Sequence, residues 1–410
     1  MGKYSQEYIE HLPNLTEMKT LEILFFVLLF IVFYTYIGYG MLLWLMVKLK
    51  KIFGKPKKSY ELEELPEVTL FITAYNEEQV VDKKMQNCHE LNYPKDKLRI
   101  MWVTDGSNDH TNELLTRYDD VKVYYHEARK GKTAAMNHGI RHVKTPFVIF
   151  TDANTLLNPD AVMEMIKRFA NPKVGCVAGE KRVMSTNKDG AAGGGEGLYW
   201  KYESCLKKWD SELYSAVGAA GELFAIRTDL YENMPEDTLL DDFIVSMRMT
   251  LKGYIIDYCD TAYACESGSA DMKEEEKRKV RIAAGGLQSI SRLLPLLNIF
   301  RYGMLSFQYI SHRVLRWSVT PFALFALLPL NMILVCHRPP IYVLLLVMQL
   351  MFYFGGLYGH HMATRSVKSK ILYIPYYFLF MNVNVIKGMI YLKKRKGQSN
   401  GAWEKAKRAE

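Results

Sequence analysis

The chain has 410 residues and a formal net charge of +9; its 49% hydrophobic content is ordinary for a globular protein, so any membrane segments must be local features. The basic excess sits beside apolar stretches and not in one aromatic-laced patch, which argues against a nucleic-acid partner. Cys88, Cys176, Cys205, Cys259, Cys265 and Cys336 form no CxxC pair and no His/Cys cluster, which argues for reduced thiols in a cytosolic domain and against structural zinc.

After an N-terminal segment (1–21), residues 22–48 read as a first membrane helix. From Ile23 to Val47 the run carries no charge, and at ~1.5 Å per residue it exceeds a ~30 Å bilayer core. It is too long for a cleaved signal peptide, and no small-residue cleavage site follows it. Lys48, Lys50, Lys51, Lys55, Lys57 and Lys58 line its exit and a basic linker (49–65), which places the N-terminus outside and the next domain in the cytosol.

From 66 to 285 the pattern alternates strand and helix. Strands are predicted at 68–73, 99–104, 121–126 and 147–151, and helices at Glu77–Leu91, Asn108–Tyr118 (with Ser107 as N-cap), Thr133–His142 and 160–170. Short, fully apolar strands between helices predict an α/β domain with a doubly wound, largely parallel sheet. Gly190–Gly197 reads as a flexible glycine-rich loop; it lacks the strand-to-helix context of a phosphate-binding fingerprint. The second half reads as more helical, with helices at Leu198–Leu213, Asp242–Leu251 and Asp271 to about Arg281. Residues 286–312 mix leucines with Arg292 and Arg301, which suits helices lying in the membrane interface.

Residues 313–392 hold about three further apolar segments (317–336, 341–359 and 371–392) before a basic tail, 393–410. Three complete spans would leave that tail outside, against the positive-inside tendency, so either one segment is re-entrant or interfacial or the tail is external. The segment 371–392, with Pro375, Asn382, Asn384 and Lys387, is least like a plain span.

Four acidic landmarks fall in order along the soluble region: Tyr75-Asn76-Glu77-Glu78, Thr104-Asp105-Gly106-Ser107, Thr151-Asp152-Ala153-Asn154 and Leu240-Asp241-Asp242-Phe243. The first three close apolar strands, and in open α/β sheets the ligand crevice lies at the carboxyl ends of the strands. Carboxylates collected there suit a metal-bound anionic ligand and a base. Asp152 with Asn154 offers two oxygens to Mg²⁺ or Mn²⁺, hard ions that prefer such ligands. The basic turn Arg129-Lys130-Gly131-Lys132 suits phosphates. Adjacent Asp241 and Asp242 point in different directions, so one can face the crevice as general base while the other supports it; a helix N-cap is the plain alternative. Arg278 and Arg281 share a helix face and suit a departing diphosphate or, equally, a solvated surface.

The ordered set resembles the family 2 glycosyltransferases, specifically the membrane-bound cellulose synthase-like group that includes hyaluronan, chitin-oligosaccharide and poly-N-acetylglucosamine synthases. The resemblance covers about 66–290 by motif and the flanking spans by architecture. It implies a GT-A (Rossmann-like) cytosolic domain with transmembrane helices on both sides, a UDP-sugar donor, a carbohydrate or lipid acceptor, and a Mg²⁺ or Mn²⁺ ion. By position, Tyr75, Asn76 and Glu77 match the first-strand nucleotide motif and Asp105 the first conserved aspartate. Asp152-Ala153-Asn154 stands at Asp-x-Asp, with Asn154 the departure. Asp241 and Asp242 stand at Thr-Glu-Asp, which makes Asp242 the base. Gly218–Glu222, with Gly221 and Glu222, match the loop bordering the acceptor. At Gln-x-x-Arg-Trp the chain reads Arg278-Lys279-Val280-Arg281-Ile282: the arginine is kept, and the aromatic that stacks on an acceptor sugar in processive enzymes is an isoleucine.

The implied activity is inverting transfer from a UDP-sugar to a growing polysaccharide or oligosaccharide by a multi-pass plasma-membrane protein, as a homo-oligomer or with an export partner. Single transfer to a lipid is the alternative within the class. A catalytically inactive membrane subunit is the alternative outside it, disfavoured because all four carboxylates are retained; a nucleotidyltransferase lacks its glycine-rich turn.

Overall fold

The computed structural model describes residues 15–54, 60–184, 191–267, 272–337, 340–364 and 370–395. Expectations for Lys55, Lys57, Lys58, Gly190 and the tail beyond Arg395 lie outside them. Helix α1 (Leu15–Phe33) continues through a π turn (Tyr34–Gly38) into α2 (Tyr39–Phe53), so the first apolar helix is longer than its sequence signal.

The α/β domain then runs β1 (Val68–Ala74), α3 (Val81–His89), β2 (Leu98–Asp105), α4 (Thr111–Leu115), β3 (Val121–His126), α5 (Lys132–Gly139), β4 (Phe147–Asp152), β5 (Leu156–Leu157) and α6 (Ala161–Arg168). It closes with β6 (Val174–Met184), α7 (Ala191–Leu213), β7 (Leu223–Arg227), α8 (Asp241–Leu251), β8 (Ile255–Ser267) and α9 (Met272–Arg292). Eight strands form one sheet in the order β3-β2-β1-β4-β7-β6-β8-β5. The first four pair in parallel, as their apolar runs predict. The second half is mixed: β7 runs antiparallel to both β4 and β6, and β8 is parallel to β6 but antiparallel to β5. The expected largely parallel sheet therefore holds for one half only.

Alternate strand residues feed two cores, one on each face. Leu70, Ile72, Ile100, Trp102 and Ile149 pack on one side. Phe71, Met101, Val103, Val148 and Phe150 pack on the other. The glycine-rich stretch is helical from Ala191 onward, contrary to expectation. Residues 202–213 of α7 are anchored to α2 through Tyr202, Leu206, Trp209 and Leu213, and the helix extends back from that anchor through the glycines although each costs about 1 kcal/mol relative to alanine.

Short helical turns from 294 to 317 lead to α10 (Val319–His337), α11 (Ile341–Thr364) and α12 (Lys370–Arg395). Three described helices are long and apolar enough to cross a membrane: Thr16–Phe53, Val319–His337 and Ile341–Met362. The third C-terminal segment, α12, falls short of that composition and packs along α9, where Gly388 meets Ala283, Ala284 and the Val280 carbonyl. A buried ion cluster joins α2, α7 and the 308–316 turns. The Tyr39 hydroxyl donates to Asp210 Oδ1 at 2.5 Å, and Arg316 donates to Glu203 Oε2 at 3.0 Å. His312 Nδ1 lies 2.6 Å from Asp210 Oδ2.

Candidate active site

The carboxyl ends of β1, β2 and β4 lie side by side, since Thr73 pairs with Val103 of β2 and with Asp152 of β4. That register gathers three of the four acidic landmarks. Asp105 is buried and accepts from the backbone N–H groups of Lys130 (2.9 Å) and Gly131 (2.6 Å), so its carboxylate shapes the basic turn. The turn in turn sets Arg129, whose guanidinium stacks 3.7 Å from the Tyr75 ring centre. Gly106 holds φ +66°, and a Cβ there would lie 2.6 Å from Arg129 N, so only glycine permits this close approach.

The β1–α3 loop is laced to the β2–α4 loop by side chains from both. Asn76, at φ 54°, receives Asn108 N on its Oδ1 (2.9 Å) and donates through Nδ2 to Asn108 Oδ1 (2.7 Å). Its backbone N–H donates to Ser107 Oγ, which therefore ties loops together and does not cap the predicted helix. Glu77, buried, is fixed through its N–H to Thr111 Oγ1 at 2.8 Å. These side-chain ties delay α4 to Thr111 and α3 to Val81, later than predicted.

Asp152 and Asp241 meet at Lys132. Its ammonium lies 2.7 Å from Asp152 Oδ1 and 3.8 Å from Asp241 Oδ2. Burial opposes the Lys132 charge, but Asp152 and Asp241 outweigh it and hold its pKa well above the usual lysine value. Lys132 is therefore placed among the carboxylates, deeper than a phosphate-facing turn residue would suggest. A Cβ on Gly221 would lie 3.3 Å from both Lys132 Nζ and Asp242 Oδ2, so these two groups converge on the glycine's open face. Burial, reinforced by Asp241, pushes the Asp242 carboxyl up to about 7. Helix α8 starts at Asp241, and Asp242 Oδ1 accepts from Phe243 N. The Gly218–Glu222 loop is fastened to that helix by Ala219 N donating to Ser246 Oγ at 3.0 Å.

The remaining expected residues divide. Glu222 is locked to Lys181 (2.6 Å) and Arg278 (3.4 Å); burial opposes its charge, but those cations hold its carboxyl well below the usual range. Arg278 also reaches Glu266 at 3.4 Å, so it is tied into ion pairs at the cavity wall. Arg281 is half-buried within reach of Asp241, Asp242 and Asp152, and desolvation with neighbouring Arg278 pulls it down to about 9. Lys130 is exposed at the rim. Lys84, unmarked by any motif, is fully buried and donates to Thr151 Oγ1 and the Thr155 carbonyl, bracing the Asp152–Asn154 turn from behind. Burial brings it down to about 8.

A divalent ion fits this donor set when the ligand completes it. Asp152 and Asn154 supply hard oxygens, and Asp241 Oδ2 is a buried carboxylate oxygen with no hydrogen bond among the described residues. Among the described residues no three His, Cys, Asp or Glu side chains converge as an all-protein cage.

Above the acids opens a cavity of about 750 Å³. Its walls include Gly221, Asp242, Arg281 and Ile282 at one end and Val32, Ile37, Phe352 and Phe378 from the apolar helices at the other. Trp200 and Trp317 also face it, two aromatics that the isoleucine at 282 did not foretell.

Residues 69–234 match the family Glycosyl transferase family 2. The chain carries a family 2 glycosyltransferase domain. The match includes Asp105, Asp152 and Gly221 but stops before Asp241 and Asp242, whose place rests on their geometry. The poly-β-1,6-N-acetyl-D-glucosamine synthase of Staphylococcus aureus (strain COL) is 27% identical over 245 residues, 58% of each chain. That of Staphylococcus epidermidis is 27% identical over 241 residues, 57% of each. The chain thus aligns with less than two thirds of the length of the curated relatives it matches. Among solved structures, a mannosyltransferase from Pyrobaculum calidifontis in complex with GDP-Man and Mn²⁺ superposes with TM-score 0.69 at 21% identity, over 92% of this chain and 99% of that one. This superposition establishes the GT-A-like fold, with its mixed sheet and apolar helices at both ends.

Proposed function

We propose that the chain is an inverting membrane glycosyltransferase that moves a sugar from a UDP-sugar to a growing polysaccharide or oligosaccharide. The observation that carries this reading is the convergence of Asp152, Asp241 and Asp242 on Lys132 and Gly221 in the cavity wall. The family 2 domain and the synthase relatives support transfer chemistry and a polymer product.

In this reading Tyr75 with Arg129, and the Asn76–Glu77 loop, receive the nucleotide. Arg129, Lys130 and Arg281 stabilise the diphosphate, and Lys132 balances the carboxylates beside it. A Mg²⁺ or Mn²⁺ ion held by Asp152 and Asn154 would offset the charge of the leaving UDP. Asp242 accepts the proton of the acceptor hydroxyl. The acceptor oxygen bonds to the anomeric carbon from the face opposite the breaking C–O–P bond, and the bonding pair leaves with UDP, so the configuration inverts. Asp241 keeps Lys132 and Asp242 in register.

The three apolar helices and Lys48, Lys50 and Lys51 at the end of α2 support an integral membrane protein with the catalytic domain on the cytosolic side. One observation favours a second acceptor class: the cavity continues among apolar side chains of those helices, as a lipid acceptor would need. The deciding experiment incubates the protein in lipid with Mg²⁺ or Mn²⁺ and a panel of UDP-sugars, with GDP-mannose as the contrasting donor. Nucleotide release and product size are measured. UDP release with a lengthening product is expected; release from GDP-mannose alone would overturn the donor, and a single-sugar lipid product would favour the second acceptor class.

A further inference from the structure

Lys207 is the feature of the cavity that the catalytic reading leaves unused. It lies on α7, is 6% exposed and lines the cavity. Among the described residues it makes no hydrogen bond and no ion pair; its nearest recorded partner is the Trp200 ring, 6.0 Å from its ammonium. A buried ammonium normally has a carboxylate against it, because leaving the charge undischarged costs several kcal/mol-scale solvation. The carboxylates around it are taken: Glu203 by Arg313 and Arg316, Glu222 by Lys181 and Arg278. Burial lowers the Lys207 pKa, and the surrounding acids, Glu203 first, only partly restore it.

Its depth is informative. One turn before it, Tyr202 donates to the Tyr36 carbonyl of the first apolar helix. Next to it, Leu206 packs with Tyr39 and Leu43. One turn beyond, Lys50 donates to the Glu212 and Leu213 carbonyls. Lys207 therefore lies beside the last turns of the apolar run, just ahead of its basic exit, where a lipid head group entering from that side would meet it. The cavity that Lys207 lines also has Asp242 in its wall and, from the apolar helices, Val32, Ile37 and Phe378.

We infer that Lys207 is the anion-binding point of an acceptor subsite for a hydroxyl-bearing phospholipid, the phosphate meeting the ammonium while the acyl chain lies along the apolar wall. This rests on the second acceptor class above, a lipid acceptor seated in the cavity. The head-group hydroxyl then reaches toward Asp242, which takes its proton as the oxygen bonds to the sugar carbon and UDP departs.

The test titrates the full chain in detergent micelles with lysophosphatidylglycerol and with chain-matched, zwitterionic lysophosphatidylcholine, counting bound lipid by native mass spectrometry. Selective retention of the anionic lipid is expected, weakened by about tenfold or more in Lys207→Met and kept in Lys207→Arg, as loss of a charge-assisted hydrogen bond requires. Glycerol phosphate, the head without the chain, should bind far more weakly. Equal retention of both lipids, unchanged retention by a folded Lys207→Met, or equal binding of glycerol phosphate would overturn the inference. Melting curves show whether Lys207→Met is folded; replacing an undischarged buried ammonium by methionine should not lower them. Nucleotide release by the unmodified chain, measured alongside, separates the two readings. Selective retention without turnover on any donor counts against the transferase reading alone, and turnover without selective retention counts against this inference alone.

Discussion

Asp242 and Lys132 carry most of the chemistry assigned to single residues, and each has a pH or charge signature. As the proposed base Asp242 must be a carboxylate, yet its burial beside Asp241 pushes the carboxyl up to about 7. The kcat/KM profile should therefore be full above neutrality and fall about tenfold per pH unit below it. More divalent ion should move that limb to lower pH, because positive charge favours the carboxylate. A limb that is absent, or that moves upward, would contradict the assignment. Stability has the opposite sign. The folded chain holds this proton more tightly than the unfolded chain, whose value is about 3.9, so Asp242 lowers stability as pH rises between the two, and Asp242→Asn should melt higher than the parent at pH 8. Lys132→Met leaves Asp152 and Asp241 facing each other without their shared cation. It should cost about 3 kcal/mol in denaturant unfolding, as breaking a buried pair does, and should remove nucleotide release.

At the scale of elements, the α8 start and the Gly218–Glu222 loop act as one piece. Gly218 holds φ +86°, and a Cβ there would sit 2.2 Å from the Phe243 ring, next to Asp242. Gly218→Ala should therefore lower stability by more than about 1 kcal/mol and displace Asp242, seen as a lower kcat with donor KM little changed. The parallel half of the sheet was legible because Val68–Ile72, Ile100–Val103 and Phe147–Phe150 are continuous apolar runs, and their ends located Asp105 and Asp152. The second half was not. Strand β6 carries Glu180, Lys181 and Arg182, and β8 carries Asp257, Asp260 and Glu266, whose charges are satisfied by ion pairs that no local pattern reveals. Lys84 and Lys207 were illegible for the same reason: a lysine reads as surface until the fold buries it. The pairing of Asp241 with Asp242 was legible, but the cation between Asp241 and Asp152 comes from α5, over a hundred residues earlier.

For the whole molecule, the site is a joint product of the soluble sheet and the apolar helices. Helix α9 carries Arg278 and Arg281, and its rear face is pressed on α12 at Gly388, where a Cβ would lie 2.7 Å from Ala283 Cβ and 2.8 Å from Ala284 N. Gly388→Leu should separate the two helices and reduce turnover without touching any group at the acids; unchanged turnover would show that α12 is not needed to shape the cavity. The central claim is that Asp242 is the base of a glycosyl transfer, and it is tested most directly by Asp242→Asn in the full chain in lipid. UDP-sugar binding is measured by calorimetry and product formation by release of UDP. The expected result is donor affinity within a few-fold of the parent and product formation reduced by at least about a hundredfold, the usual weight of a general base. Loss of donor binding, or product formation near the parent rate, would contradict it.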